Sequence, residues 1–136
     1  MSLIDVREAG PLVETVIDSW TEVCRYDDLL PDRGAAALLG DQQVALFRTT
    51  TGELHAIGNV DPFTGAAVLS RGIVGSRGDV PTVASPLHKQ VFDLRTGWCL
   101  DCVDDGGDDF VSVPRYDVRV QRGVVEVCAP EVRTVG

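Results

Sequence analysis

The sequence predicts an all-β fold of short antiparallel strands arranged as a sandwich or barrel. β-rich runs recur along the chain, as at 19–24, 43–49, 53–57, 116–120 and 124–127. Turn pairs separate them: Gly40-Asp41, Thr51-Gly52 and Arg122-Gly123. The last pair sits between two alternating runs, the pattern of a β-hairpin. Strands this short and frequent fit a sandwich or barrel better than a parallel α/β sheet.

In order along the chain, residues 1–18 form an N-terminal segment that need not be ordered. Within it, the apolar spacing at 12–17 fits a short helix and an extra strand equally. Residues 19–24 read as a strand and 26–31 as a single helical turn. Residues 35–39 and 43–49 form a hairpin about Gly40-Asp41, and Thr51-Gly52 leads into a strand at 53–57. The run 72–78 carries glycines at every third position. It lacks the Gly-x-Gly start of a dinucleotide loop and reads as a flexible insertion with Arg71 and Arg77. Residues 101–109 form an acidic, glycine-rich loop without the spacing of a calcium site. Residues 131–136 are a tail. No internal repeat is evident.

The length fits one domain with a modest core. The net charge of −9 disfavours nucleic acid and anionic membranes as partners. No apolar run approaches a membrane span and no signal peptide is visible, so the expected location is the cytoplasm. Cysteines there are expected to be reduced. Cys99 and Cys102 have Cys-x-x-Cys spacing, but no second pair completes a zinc site. They read as two unlinked thiols. Cys24 and Cys128, in the first and last predicted strands, read as core thiols.

Two boxes carry the chemical signal. The second runs Ser85-Pro86-Leu87-His88-Lys89-Gln90-Val91-Phe92-Asp93-Leu94-Arg95-Thr96-Gly97. It resembles the second ligand box of a Rieske [2Fe–2S] domain, with serine in place of the ligand cysteine. In the first box, Asn59 and Asp61 stand where the family has cysteine and histidine. A Rieske cluster needs two thiolates and two imidazoles; only His88 matches. Between the boxes, the run from Asp61-Pro62-Phe63 through Leu69-Ser70-Arg71-Gly72-Ile73-Val74-Gly75 resembles the small subunit of the assimilatory NAD(P)H-dependent nitrite reductase. That resemblance spans about residues 20–130 and implies a Rieske-like domain at 19–130. It also implies that the first and last strands pair.

The resemblance implies an accessory subunit of a nitrite reductase that makes ammonium. It would bind, stabilise or regulate a large subunit carrying FAD, an iron–sulfur cluster and sirohaem and using NAD(P)H. The chain itself is expected to bind no cluster and no metal and to supply no catalytic residue. The alternatives are a Rieske-type ferredoxin for an oxygenase and a ligand-binding regulator using the vacated pocket. His88 and Asp61 could meet across that pocket as an acid–base pair; the plainer reading makes Asp61 a turn cap and His88 a remnant. His55 reads as a partly buried, hydrogen-bonded strand residue. Phe63, Leu69, Arg71, Ile73, Leu87 and Trp98 are candidate partner contacts, since aromatic and arginine side chains anchor interfaces.

Overall fold

The computed structural model describes residues 13–87, 89–101 and 111–135. Among these residues, nine antiparallel strands form two sheets. They are β1 (Val13–Arg25), β2 (Arg33–Leu39), β3 (Gln42–Arg48), β4 (Leu54–Gly58), β5 (Ile73–Arg77), β6 (Val80–Ala84), β7 (Val91–Asp93), β8 (Arg115–Gln121) and β9 (Val124–Val135). The larger sheet has the order β1-β9-β8-β4-β3-β2 and the smaller β5-β6-β7.

The strand β3 explains how the layers stack. Val44-Ala45-Leu46-Phe47 are all buried, a continuous apolar run where a one-faced strand would alternate. Val44 and Leu46 join Leu29, Ala56, Tyr116, Val125 and Val127 inside the curl of the larger sheet. Ala45 and Phe47 face the other way, onto Leu69, Val83 and Phe92. The small sheet is thereby seated on one face of the large one. Gly34 permits a close approach: a Cβ there would run into the carbonyl oxygen of Ser70.

The hairpins β2–β3 and β8–β9 form as expected, and Tyr26–Asp28 makes one 3-10 turn. The N-terminal ambiguity resolves to strand. β1 begins at Val13 and pairs with β9 without a break as far as Glu22. It crosses the expected boundary at residue 19, and β9 likewise runs through 131–135, where a tail was expected. Residues 72–78 are also not a flexible insertion. Ile73–Arg77 forms a full ladder with Val80–Ala84, because alternate residues find backbone partners there and Gly78, at φ 60°, closes the turn.

A repeat does exist. Asp61-Pro62-Phe63-Thr64-Gly65 and Asp93-Leu94-Arg95-Thr96-Gly97 fold alike. In each, the aspartate Oδ1 accepts the N–H two residues on, at 2.8 Å in both. Its carbonyl accepts the glycine N–H at 2.7 Å. The threonine hydroxyl accepts the N–H of Ala66 at 3.2 Å or Trp98 at 3.1 Å. Only three residues recur, as Asp-x-x-Thr-Gly, too few to show as a periodic pattern.

Candidate functional site

The loops after β4 and β6 meet at one end of the molecule. Ser85 Oγ donates a 2.6 Å hydrogen bond to Asp61 Oδ2. Both residues are sealed from solvent, Asp61 at 0% and Ser85 at 1% exposure. Ser85 Oγ also accepts the Leu87 N–H at 3.3 Å. A buried carboxylate is tolerable only when donors replace its water, and here each oxygen holds one: Phe63 N–H on Oδ1 and Ser85 on Oδ2.

Asn59 is the third buried polar residue of the tip. Its Oδ1 accepts the Ser70 N–H at 2.7 Å. Its backbone is held between Gln43 and Leu69, at 3.0 Å on each side. The side chain therefore ties the first loop to the 3-10 turn Leu69–Arg71. Of the four ligand positions, Asn59, Asp61 and Ser85 are tied into the protein itself. His88 lies outside the described residues. Asp61 takes the turn-capping role, since each of its carboxylate oxygens already serves a protein donor.

These residues do not fit a [2Fe–2S] cluster. The pair of thiolates one iron requires is missing, and a serine hydroxyl is a hard, weakly acidic donor. Ser85 is moreover spent on Asp61, and Asn59 on Ser70. Among the described residues, no group of three or more His, Cys, Asp or Glu side chains is placed to hold a metal.

The candidate contact residues divide. Phe63, Arg71, Ile73 and Leu87 are exposed at the tip, Ile73 at 74%. Leu69 is not a contact residue; it is wholly buried in the second core cluster. Its place in a one-turn helix points it inward. Trp98 is exposed, but it stands beyond Asp93, which accepts no loop contact from Ser85 and donates its N–H to the Trp98 carbonyl at 2.8 Å. That is the end of the β6–β7 ladder away from Ser85. Two tip residues escaped the sequence reading. Leu38, 69% exposed, pairs with Gln43, whose carbonyl accepts the Asn59 N–H. Val60 is exposed directly beside it. The apolar run Ala35–Leu39 gives no alternation that would have marked Leu38 as exposed.

Cys99 corrects another expectation: it is disulfide-bonded. Neither Cys24 nor Cys128 is in a disulfide, and they are not opposite each other: Cys24 faces Val125, and Cys128 faces Trp20. Of the acidic loop, Asp101 is described. It accepts the Val91 N–H at 2.9 Å and pairs with Arg77 at 3.4 Å, so it closes the small sheet. The rest of that loop lies outside the described residues. His55 is largely buried, as expected, but its Nε2 is 3.5 Å from Glu53, an ion-pair distance rather than a good hydrogen bond. Burial pushes its pKa down, and the Glu53 carboxylate pushes back.

Residues 19–128 match the Rieske-like [2Fe-2S] domain family. The nitrite reductase (NADH) small subunit of Escherichia coli K12 is 43% identical over 112 residues, covering 82% of this chain and 98% of that protein. The chain belongs to the nitrite reductase small-subunit family. The crystal structure of a Mycobacterium tuberculosis protein assigned to that family superposes with a TM-score of 0.74 at 53% identity. It covers 83% of this chain and 96% of that one. The nitrite reductase [NAD(P)H] large subunit of Klebsiella oxytoca is 40% identical over 108 residues, 79% of this chain but 11% of that protein. A small-subunit domain is there part of the large polypeptide. Among the described residues, no helix is long and apolar enough to cross a membrane.

Proposed function

We propose that this chain is the accessory small subunit of an NAD(P)H-dependent nitrite reductase and acts by binding the large catalytic subunit. The observation that carries the reading is the 43% identity to a small subunit over 98% of that subunit's length. The K. oxytoca relative supports the partner, since its large subunit contains a matching domain. Nicotinamide, flavin, iron–sulfur and sirohaem chemistry would all reside on the large subunit, in the cytoplasm. The chain would supply no electron carrier, because Asn59, Asp61 and Ser85 offer no thiolate. The same chemistry weighs against an oxygenase ferredoxin.

The tip is the contact surface in this reading. Leu38, Val60, Phe63, Ile73 and Leu87 expose apolar side chains there beside Arg71. Loops fixed on a rigid β scaffold are common recognition sites. The mutual hydrogen bond of Asp61 and Ser85 favours this reading over a ligand-binding regulator that would use those side chains.

The test is co-expression with the large subunit of the same organism. The two are expected to co-purify, and nitrite-dependent NAD(P)H oxidation is expected to need both. The chain purified alone after iron-replete anaerobic expression should be colourless. Stoichiometric iron and sulfide with a Rieske-type EPR signal would overturn the cluster-free reading; large subunit fully active without this chain and never bound to it would overturn the subunit reading.

A further inference from the structure

β1 and β9 run on past the rest of their sheet. The β8–β9 ladder stops at Asp117 opposite Cys128. β1 and β9 continue to pair, from Ser19 opposite Ala129 to Val13 opposite Val135. Among the described residues this continuation has no third strand on either side. It is a two-stranded arm. β4 and β9 both run antiparallel to β8, so β9 leaves the sheet in the direction in which β4 leads into Asn59. The arm and the tip therefore project from the same end.

The arm lies outside the span the family shares. The family match spans 19–128, stopping where the arm begins. The E. coli relative is matched over 98% of its length by 82% of this chain. An isolated two-stranded ribbon is marginal in water, and its open edges invite pairing with another chain.

The two edges differ. On the β9 side, Pro130 lacks an N–H; proline is a usual means of blunting an edge. On the β1 side, Val13, Thr15, Val16 and Ile17 are β-branched, Glu14 and Asp18 carry charge as Glu131 and Arg133 do in β9, and proline is absent. That edge is regular from Val13 to Glu22, where a bulge before Cys24 interrupts it.

We propose that the β1 edge of this arm takes up a strand of the nitrite reductase large subunit by backbone hydrogen bonding. The inference rests on the subunit reading above. The large subunit is the occupant because the K. oxytoca relative holds this domain within its large polypeptide, and because the arm extends the tip surface already assigned to that partner.

The test measures binding of the full chain and of two variants to the purified large subunit. Thr15→Lys/Ile17→Lys adds two lysines to the β1 stretch; Val16→Pro puts a residue that interrupts strand pairing into the same stretch. Both should keep the melting temperature of the full chain, since the arm lies outside the span of the family match, and bind at least tenfold more weakly. Affinities within twofold of the full chain would overturn the arm's role and leave the subunit reading standing. A full chain that dimerises through the arm, with both variants monomeric, would overturn it in favour of a second copy. A full chain that fails to bind the large subunit at all would remove the subunit reading and this inference together.

Discussion

Ser85 is hydrogen-bonded to Asp61, 2.6 Å away, across the two loops that carry the cluster ligands in Rieske domains. In this chain one buried polar contact links those two loops. That contact joins the loop after β4 to the loop after β6.

Ser85→Ala should be costly for so small a change. It leaves Asp61 Oδ2 buried without its donor, a loss of about 2–3 kcal/mol and a fall in melting temperature of roughly 10 °C. Adding Asp61→Asn should cost less than the two single changes summed, because the residues share one contact. Thermal melts of the four proteins give the coupling. Strict additivity would mean the contact contributes nothing.

The twin turns give an internal control. Gly65 and Gly97 have nearly the same backbone, φ 77° and 82°. A Cβ on Gly65 meets open space, whereas one on Gly97 runs into the Val113 carbonyl. Gly65→Ala should therefore cost only the left-handed penalty, about 1–2 kcal/mol. Gly97→Ala should cost clearly more, with the backbone forced to shift. Equal denaturant midpoints for the two variants would contradict this.

His55 should make stability fall in mild acid. Burial lowers its folded pKa below the ordinary 6.5, so the folded state binds the proton less readily than the unfolded one. The stability His55 confers is complete above about pH 6.5 and is lost as pH falls through the lowered folded value. His55→Gln should flatten that part of the profile. Urea titrations at intervals between pH 7.5 and 5 should show the two proteins losing stability at different rates; parallel profiles would refute it.

At the tip, Arg71→Glu with Leu87→Asp should spare the fold and harm assembly. Both side chains are exposed, where substitutions usually cost little stability. Set against a partner, the new charges would be buried unpaired. Gel filtration with the large subunit should show loss of the complex at an unchanged melting temperature. Wild-type assembly would move the contact off the tip.

Much of this was legible in the residues. Alternation around Arg122-Gly123 and Gly40-Asp41 located two hairpins, and the spacing of the two boxes brought residues 59–61 and 85 to one end. What escaped depends on neighbours distant in sequence. The strand Ile73–Arg77 contains glycine and serine and is mostly exposed, so only its ladder with Val80–Ala84 holds it. Leu69 looked like a surface residue until Phe47 and Val83 were seen around it. The Ser85–Asp61 bond joins two residues that each read as a lost ligand, and nothing local says that one loss complements the other.

The pairing of Val13 with Val135 sets the first and last described strands side by side. A body whose entry and exit adjoin can be spliced into a longer polypeptide through two short linkers, with neither made to cross the domain. In the K. oxytoca large subunit such a domain forms part of one long chain. Between a separate gene product and an inserted module, this topology demands no rearrangement of the sheet, only a change in what the two adjoining strands are tied to.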